Sequence, residues 1–286
     1  MTWYERCFNS LRHSTIPVTA VVVDNASQDG TVEFIQREFP EFVLIESAEN
    51  LGFGKANNIG IRYALDHRAD YVFLLNQDAW IDSDALEKLV SIHQKHPKYG
   101  LLSPMHLNVD RTGLVMKFFC KQPNNEKLIT DLYLNRLSDV YATKYIHAAA
   151  WMLPRKTLQT IGGFDPIFFH YAEDDDYLNR VRYHGIKIGV CPSARIVHDH
   201  HDHPLNPDAI RYHRNQTHLA EYMDLNHSFH WCSYLFYYLR KLLRSVLNPK
   251  THHSKDLFQD IVFLLKKAKV INNHRKRNLE IGETWL

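Results

Sequence analysis

The chain has 286 residues, enough to bury a full core as one large α/β domain or as one domain with a helical appendage. A hydrophobic share of 45% and a charged share of 23% are ordinary for a soluble globular enzyme, and a formal net charge of +2 is too small for a nucleic-acid binder. Cys7, Cys120, Cys191 and Cys232 lie far apart with no C-x-x-C pair, which argues against a cysteine zinc site and fits a reduced cytosolic protein.

In chain order, residues 17–23 (PVTAVVV) predict a buried strand that ends in Asp24-Asn25-Ala26-Ser27. Asp29-Gly30 then turns the chain into a helix over 31–38, and residues 42–46 (FVLIE) predict a second strand. The Gly-rich turn Asn50-Leu51-Gly52-Phe53-Gly54 opens a helix that runs to about Asp66. A third strand, 71–75 (YVFLL), ends at Asn76-Gln77-Asp78, and a helix follows from 82–84, where short polar side chains cap free N–H groups. Short strands are expected at 100–103, 114–119 and 144–151, then a short helix over 154–161 broken by Gly162-Gly163. A helix over 173–184 precedes strands at 186–191 and 194–198, and from Pro207 onward the pattern is helical, interrupted near Asn248-Pro249. Strand and helix alternate in the first half, as in a mostly parallel sheet covered by helices. Ligands of such sheets bind beyond the carboxyl ends of the strands, where both Asp24 and Asp78 fall.

Five segments carry a resemblance: VVVDNASQDGT, NLGFGKANNIG, LLNQDAW, GGFDPIFFHYAEDDDYLNRVRYHG and a histidine at His198. In this order they resemble the family-two glycosyltransferases of the GT-A fold, most closely the bacterial rhamnosyltransferase-type members, over about residues 5–215. The resemblance implies a GT-A (Rossmann-like) catalytic domain over 1–205 and a helical region over 206–286. Family members begin with a hydrophobic strand that helps hold the nucleotide base, whereas Trp3 to Leu11 resembles the helix after that strand. The first family strand is therefore expected to be missing, or to lie upstream of Met1.

Asn76-Gln77-Asp78 stands where the family carries its Asp-x-Asp-type motif. A divalent ion, Mn2+ or Mg2+, held by a carboxylate neutralises a nucleoside diphosphate and stabilises the leaving group. Asp78 and His198 are the implied metal ligands, and Asn76 and Gln77 offer only neutral donors toward the nucleotide sugar. Asp24 and Asn25, at the end of the first strand, resemble the family's contacts to the base or ribose, with a plain turn as the alternative. Asn50, Gly52, Lys55 and Asn57 resemble the loop and helix start beside the donor, where backbone N–H groups suit anions.

The acid run Glu173-Asp174-Asp175-Asp176 complements a helix N-terminus. By resemblance Asp174 is the general base and Glu173 lines the acceptor side. Trp151 and Asp165 are candidates for the sugar pocket, with a core tryptophan and a turn aspartate as the equal alternative. His198 to His203 is rich in histidine, but adjacent residues of an extended segment point to opposite sides, so four imidazoles do not readily meet one ion. Arg211 and Arg214 open the helical region and are candidates for a phosphate contact, against a surface helix as the default.

The expected reaction is an inverting transfer from a dTDP-, UDP- or GDP-linked sugar to a cell-surface saccharide or a lipid-linked saccharide. The contrasting reading is a catalytically impaired scaffold or carbohydrate-binding component of a polysaccharide assembly complex. Met1 is not followed by a signal peptide pattern, and Phe229–Leu243, the longest apolar run, is too short and interrupted to span a bilayer. A cytoplasmic protein is expected, with peripheral contact to the inner face of the membrane through aromatic C-terminal helices, or else helices that pack on other protein surfaces.

Overall fold

Alternating β-branched strands and amphipathic helices build the first part of the chain. The computed structural model describes residues 3–115, 125–199, 206–247 and 254–286. It divides into two compact units, Met1–His203 with Ile281–Leu286, and Pro204–Glu280.

The first unit runs α1 (Tyr4–Arg12), β1 (Val21–Asp24), α2 (Thr31–Glu38), β2 (Val43–Glu46), α3 (Gly52–Asp66), β3 (Tyr71–Leu75), β4 (Ala79–Ile81), α4 (Ala85–Lys95) and β5 (Tyr99–Leu107). It continues with α5 (Asn125–Tyr133), β6 (Tyr141–Thr143), β7 (Ala150–Pro154), α6 (Arg155–Ile161), α7 (Glu173–Tyr183) and β8 (Lys187–His198). β1 and β2 form a parallel pair, and the other strands form a six-stranded sheet in the order β3-β7-β5-β8-β4, with β6 also on β8.

The pairing is mixed: β1–β2 and β5–β8 are parallel, whereas β3–β7, β5–β7, β4–β8 and β6–β8 are antiparallel. The long excursion between β5 and β7 is the reason, because it returns the chain to enter the sheet from the opposite end. Side chains along β7 alternate between two cores, as the pleat requires. Trp151 and Leu153 join Ile61, Leu158 and Tyr177 on one face, and Ala150 and Met152 join Leu89, Ile92 and Leu102 on the other.

Several elements differ from the expected spans. The first strand pairs only from Val21, since β2 offers no partner before Val43. The expected strands 186–191 and 194–198 form one strand; its register against β5 shifts between Pro104 and Met105, so the break in pattern is a bulge. Helix α5 was not expected, although Leu128, Ile129 and Leu132 stand at helical spacing within it. The strand expected at 114–119 lies beyond Val115 outside the described residues, as does the interruption at Asn248-Pro249.

The second unit contains α8 (Pro207–Met223), α9 (Trp231–Leu247) and α10 (Ser254–Asn278). Asn206 caps α8 by accepting the Ala209 N–H at 2.8 Å, with Pro207 at the first helical position. At the other end of α8, Arg275 donates to the carbonyls of Tyr222, Asp224 and His227, satisfying groups a helix terminus leaves open. Among the described residues no helix is long and apolar enough to cross a membrane.

Candidate functional site

β3 runs antiparallel to β7 and β7 antiparallel to β5, so β3, β5 and β8 point the same way and end at one edge of the sheet. Asn76-Gln77-Asp78 leaves that edge between β3 and β4. The Asn76 N–H donates to the Ala149 carbonyl at 2.9 Å, and Gln77 is exposed. Ala79 pairs with His198, and the Asp199 N–H donates to the Asp78 carbonyl at 2.8 Å. This register sets Asp78 Oδ1 3.5 Å from His198 Nε2, with the imidazole buried and the carboxylate half-open. His147 and His106 pack around His198, their ring centroids 5.5 and 5.8 Å away. Burial, then the neighbouring imidazoles, hold His106 well below its ordinary pKa, so it is neutral. His200, His201 and His203 lie outside the described residues.

At the end of β1, the buried Asp24 accepts the Ser27 N–H through Oδ2 at 3.0 Å. Asn25 Oδ1 accepts the Leu51 N–H at 2.7 Å, and its Nδ2 donates to Asn50 Oδ1 at 3.0 Å. Asn50 Oδ1 also accepts the Gly52 N–H at 2.9 Å, so two asparagines tie the end of β1 to the start of α3. Lys55 is exposed on the first turn, and Asn57 is half-buried, its Nδ2 donating to the Phe53 carbonyl.

The start of α3 also meets the loop before the acid helix. Gly52 has φ +77°, and a Cβ there would stand 2.1 Å from the Phe169 carbonyl oxygen; at Gly54 it would stand 2.9 Å from Phe164 Cβ. The glycines are therefore required by close backbone approach between these segments. Tyr171 and Ala172, both at φ +68°, then twist the chain into α7.

The four acids of α7 separate by face. Glu173 and Asp176 are buried, whereas Asp174 and Asp175 are half-exposed. Asp174 Oδ2 accepts the Tyr145 hydroxyl at 3.3 Å and Oδ1 accepts the Asp175 N–H at 2.9 Å. Burial first, then the charge of Asp174, pushes Glu173 up to about 8, so it carries a proton at neutral pH. Asp176 pairs with Arg180 at 2.9 Å in a buried salt bridge, and Arg180 donates to the carbonyls of Ile161 and Gly163. Asn58 clamps Phe164 from the other side, accepting its N–H at 2.7 Å and donating to its carbonyl at 2.8 Å. Trp151 and Asp165 are wholly buried behind this turn: Trp151 stacks on Phe164, and Asp165 Oδ1 accepts the Ile167 N–H.

A chain of contacts thus joins the site: Asp78 to His198, His198 to His147, Tyr145 to Asp174, the loop before Glu173 to Gly52, and Gly52 to Asn50 and Asn25. Arg214 is engaged within the second unit by Asp256 at 3.0 Å and Asp260 at 3.2 Å. Tyr145, Asn58 and Arg180 were not singled out from sequence. Arg180 follows Asp176 by four residues, a spacing that signals a helix ion pair; Tyr145 and Asn58 leave no comparable signal. The arrangement offers a half-open carboxylate for proton transfer and a carboxylate–imidazole pair able to share a cation.

The model of the family described as Glycosyl transferase family 2 matches residues 3–162. The low-salt glycan biosynthesis hexosyltransferase Agl10 of Haloferax volcanii is 28% identical over 186 residues, 63% of this chain and 58% of that protein, so the chain spans little over half of that relative's length. An N-acetylglucosaminyl-diphospho-decaprenol L-rhamnosyltransferase of Mycobacterium tuberculosis is 26% identical over 262 residues, 82% of this chain and 84% of that protein. Among solved structures, S. aureus TarS 1-349 in complex with UDP aligns with a TM-score of 0.53 at 15% identity, covering 96% of this chain and 86% of that one. The likeness in fold is to GT-A structures.

Proposed function

This chain belongs to glycosyl transferase family 2, and we propose that it transfers a sugar, with inversion, from a nucleoside-diphosphate donor to a saccharide or lipid-linked saccharide. The observation that carries this reading is Asp174, half-exposed on the first turn of α7 and held by the Tyr145 hydroxyl and the Asp175 N–H. Asp174 takes the proton of the acceptor hydroxyl as that oxygen attacks the anomeric carbon, and the bond from that carbon to the diphosphate oxygen breaks. One displacement inverts the anomeric centre. Asp24, Asn25 and Asn50 hold the donor end, and the buried protonated Glu173 faces the acceptor side.

Asp78 Oδ1 and His198 Nε2, 3.5 Å apart, are suitable donors for Mn2+ or Mg2+. Such an ion neutralises the diphosphate as it leaves. Among the described residues no group of three or more His, Cys, Asp or Glu closes on one point, so donor oxygens and water complete the coordination in this reading. Metal binding is then weak until the nucleotide sugar arrives.

The name of the Mycobacterium tuberculosis relative favours a nucleotide-linked rhamnose as the first donor to try, on a lipid-linked acceptor. Thermal unfolding with Mn2+ or Mg2+ and a panel of dTDP-, UDP- and GDP-sugars tests this. A donor at a hundred times its Kd stabilises the fold by about 2.7 kcal/mol. A rise in Tm for at least one donor, lost in Asp78→Ala, is expected. No rise with any donor would overturn the enzymatic reading in favour of a scaffold.

A further inference from the structure

The two units carry opposite charge. Pro204–Glu280 has thirteen Lys and Arg against six Asp and Glu, although the whole chain has 34 against 32, so the remainder is net acidic. Such asymmetry points to an anionic partner for the basic unit.

Successive helical residues are 100° apart, which divides α9 into three faces. The first, around Tyr238 and Ser245, is buried within the unit and pinned by a 2.7 Å hydrogen bond between the Tyr238 and Tyr222 hydroxyls. The second holds Phe236, Leu239, Leu243, Val246 and Leu247, which are 68, 48, 61, 63 and 75% exposed. The third holds Arg240, Lys241 and Arg244, all exposed, with Lys241 Nζ 4.5 Å from the centre of the Tyr237 ring. α9 contains no acid.

An exposed apolar stripe of this length marks a contact surface. Self-association is disfavoured, because helices that pair through such a stripe are flanked by opposite charges, whereas two copies of α9 bring cations together. An apolar stripe with a cationic flank is the pattern of a helix lying in a bilayer interface. We propose that α9 docks this protein on an anionic membrane. The Phe236–Leu247 stripe enters the acyl boundary, and Arg240, Lys241 and Arg244 meet the headgroup phosphates. This deepens the reading of a lipid-linked acceptor and rests on it only for its purpose, since docking is measured without sugar chemistry.

Co-sedimentation of the full chain with vesicles of phosphatidylcholine, alone or mixed with phosphatidylglycerol, tests it. Binding to the mixed vesicles is expected to be tighter by about tenfold or more and to weaken with salt. The double variant Phe236→Glu/Leu243→Glu should lose binding to both vesicles, with helicity and Tm unchanged because both positions are exposed. Arg240→Glu/Arg244→Glu should lose only the preference for anionic lipid. Transfer to a water-soluble acceptor, assayed in parallel, should be unaffected by either variant; its absence in the wild type would fail the enzymatic reading and leave docking intact. Wild-type protein that sediments with neither vesicle, or a stripe variant that binds undiminished, overturns the proposal. So does a wild-type dimer that the stripe variant dissociates while vesicle binding persists; the stripe is then a self-interface.

Discussion

Glu173 and Asp174 are adjacent acids with different fates, and the difference is set by which side of α7 each occupies. Glu173 turns inward, where its Oε2 is buried without a hydrogen-bond partner among the described residues. Its folded-state value of about 8 lies above its ordinary 4.5. Between those values the folded chain keeps a proton that the unfolded chain gives up, so stability falls as pH rises through that window and the contribution is gone above it. The slope approaches about 1.4 kcal/mol per pH unit. Glu173→Gln removes this titration, and Tm measured from pH 5 to 9 should fall less steeply than in the wild type; parallel curves would mean that Glu173 ionises freely. Asp174 depends on a residue 29 positions away. Tyr145→Phe deletes its 3.3 Å hydrogen bond to Asp174 and should lower kcat roughly tenfold, the worth of a hydrogen bond to a charged group, with donor KM unchanged. A rise in KM with kcat intact would instead place Tyr145 on the donor. The acid run was legible in sequence because four acids at a helix start are conspicuous. Tyr145 was not: it stood inside the strand expected at 144–151, which begins only at Ala150, and its partner is set by tertiary packing.

Elements explain why glycine recurs where α3 meets the loop before α7. Gly52 needs both a positive φ and room, since its missing Cβ would stand 2.1 Å from a backbone oxygen. Gly185, at φ +73°, faces open space, with nothing within 4 Å of where a Cβ would stand, and so isolates the backbone cost. Gly185→Ala is expected to cost about 1 kcal/mol, and Gly52→Ala roughly 2–4 kcal/mol, because the clash adds to the backbone strain. Urea unfolding of the two variants separates the terms; equal losses would show that the loop at Phe169 yields without penalty. From sequence, Gly52 resembled part of a donor loop, and the local pattern could not distinguish an anion cradle from a close backbone approach. Strands with continuous apolar runs, such as 71–75, were legible to the residue. The continuity of β8 was not: Pro192 and Ser193 break the apolar pattern, while the sheet absorbs them as a bulge against β5.

On the scale of the whole molecule, the first unit is closed by a segment from the far end of the chain. A helical pattern to the last residue was expected, yet Ile281–Leu286 leaves α10 and belongs to the first unit. Six residues carry too little periodicity to announce this. Their contacts are specific. The Gly163 N–H donates to the Thr284 carbonyl at 2.8 Å, the Gly282 N–H to the Thr160 carbonyl at 3.1 Å, and Asn58 Nδ2 to the Trp285 carbonyl at 3.2 Å. Leu286 packs on the core around Trp151 and Phe164. Gly162 and Gly163 accommodate this segment, since a Cβ on Gly162 would stand 2.0 Å from the Thr284 oxygen. The same turn is gripped by Arg180 and leads into the acid helix, so the segment braces the backbone that precedes Asp174. Three hydrogen bonds at about 1 kcal/mol each, with partial burial of one leucine, amount to roughly 3–5 kcal/mol. At roughly 2–4 °C per kcal/mol for a unit of this size, a chain ending at Glu280 should show a Tm lower by about 6 °C or more. Its kcat should fall further than that of an Arg62→Ala variant, which loses the exposed ion pairs to Glu283 at 2.8 Å and to Asp66 at 3.9 Å but leaves the segment in place. Calorimetry and a transfer assay on both proteins decide the matter: an unchanged Tm in the shortened chain would show that the core closes without this segment, and a lowered Tm with unchanged kcat would confine its role to stability.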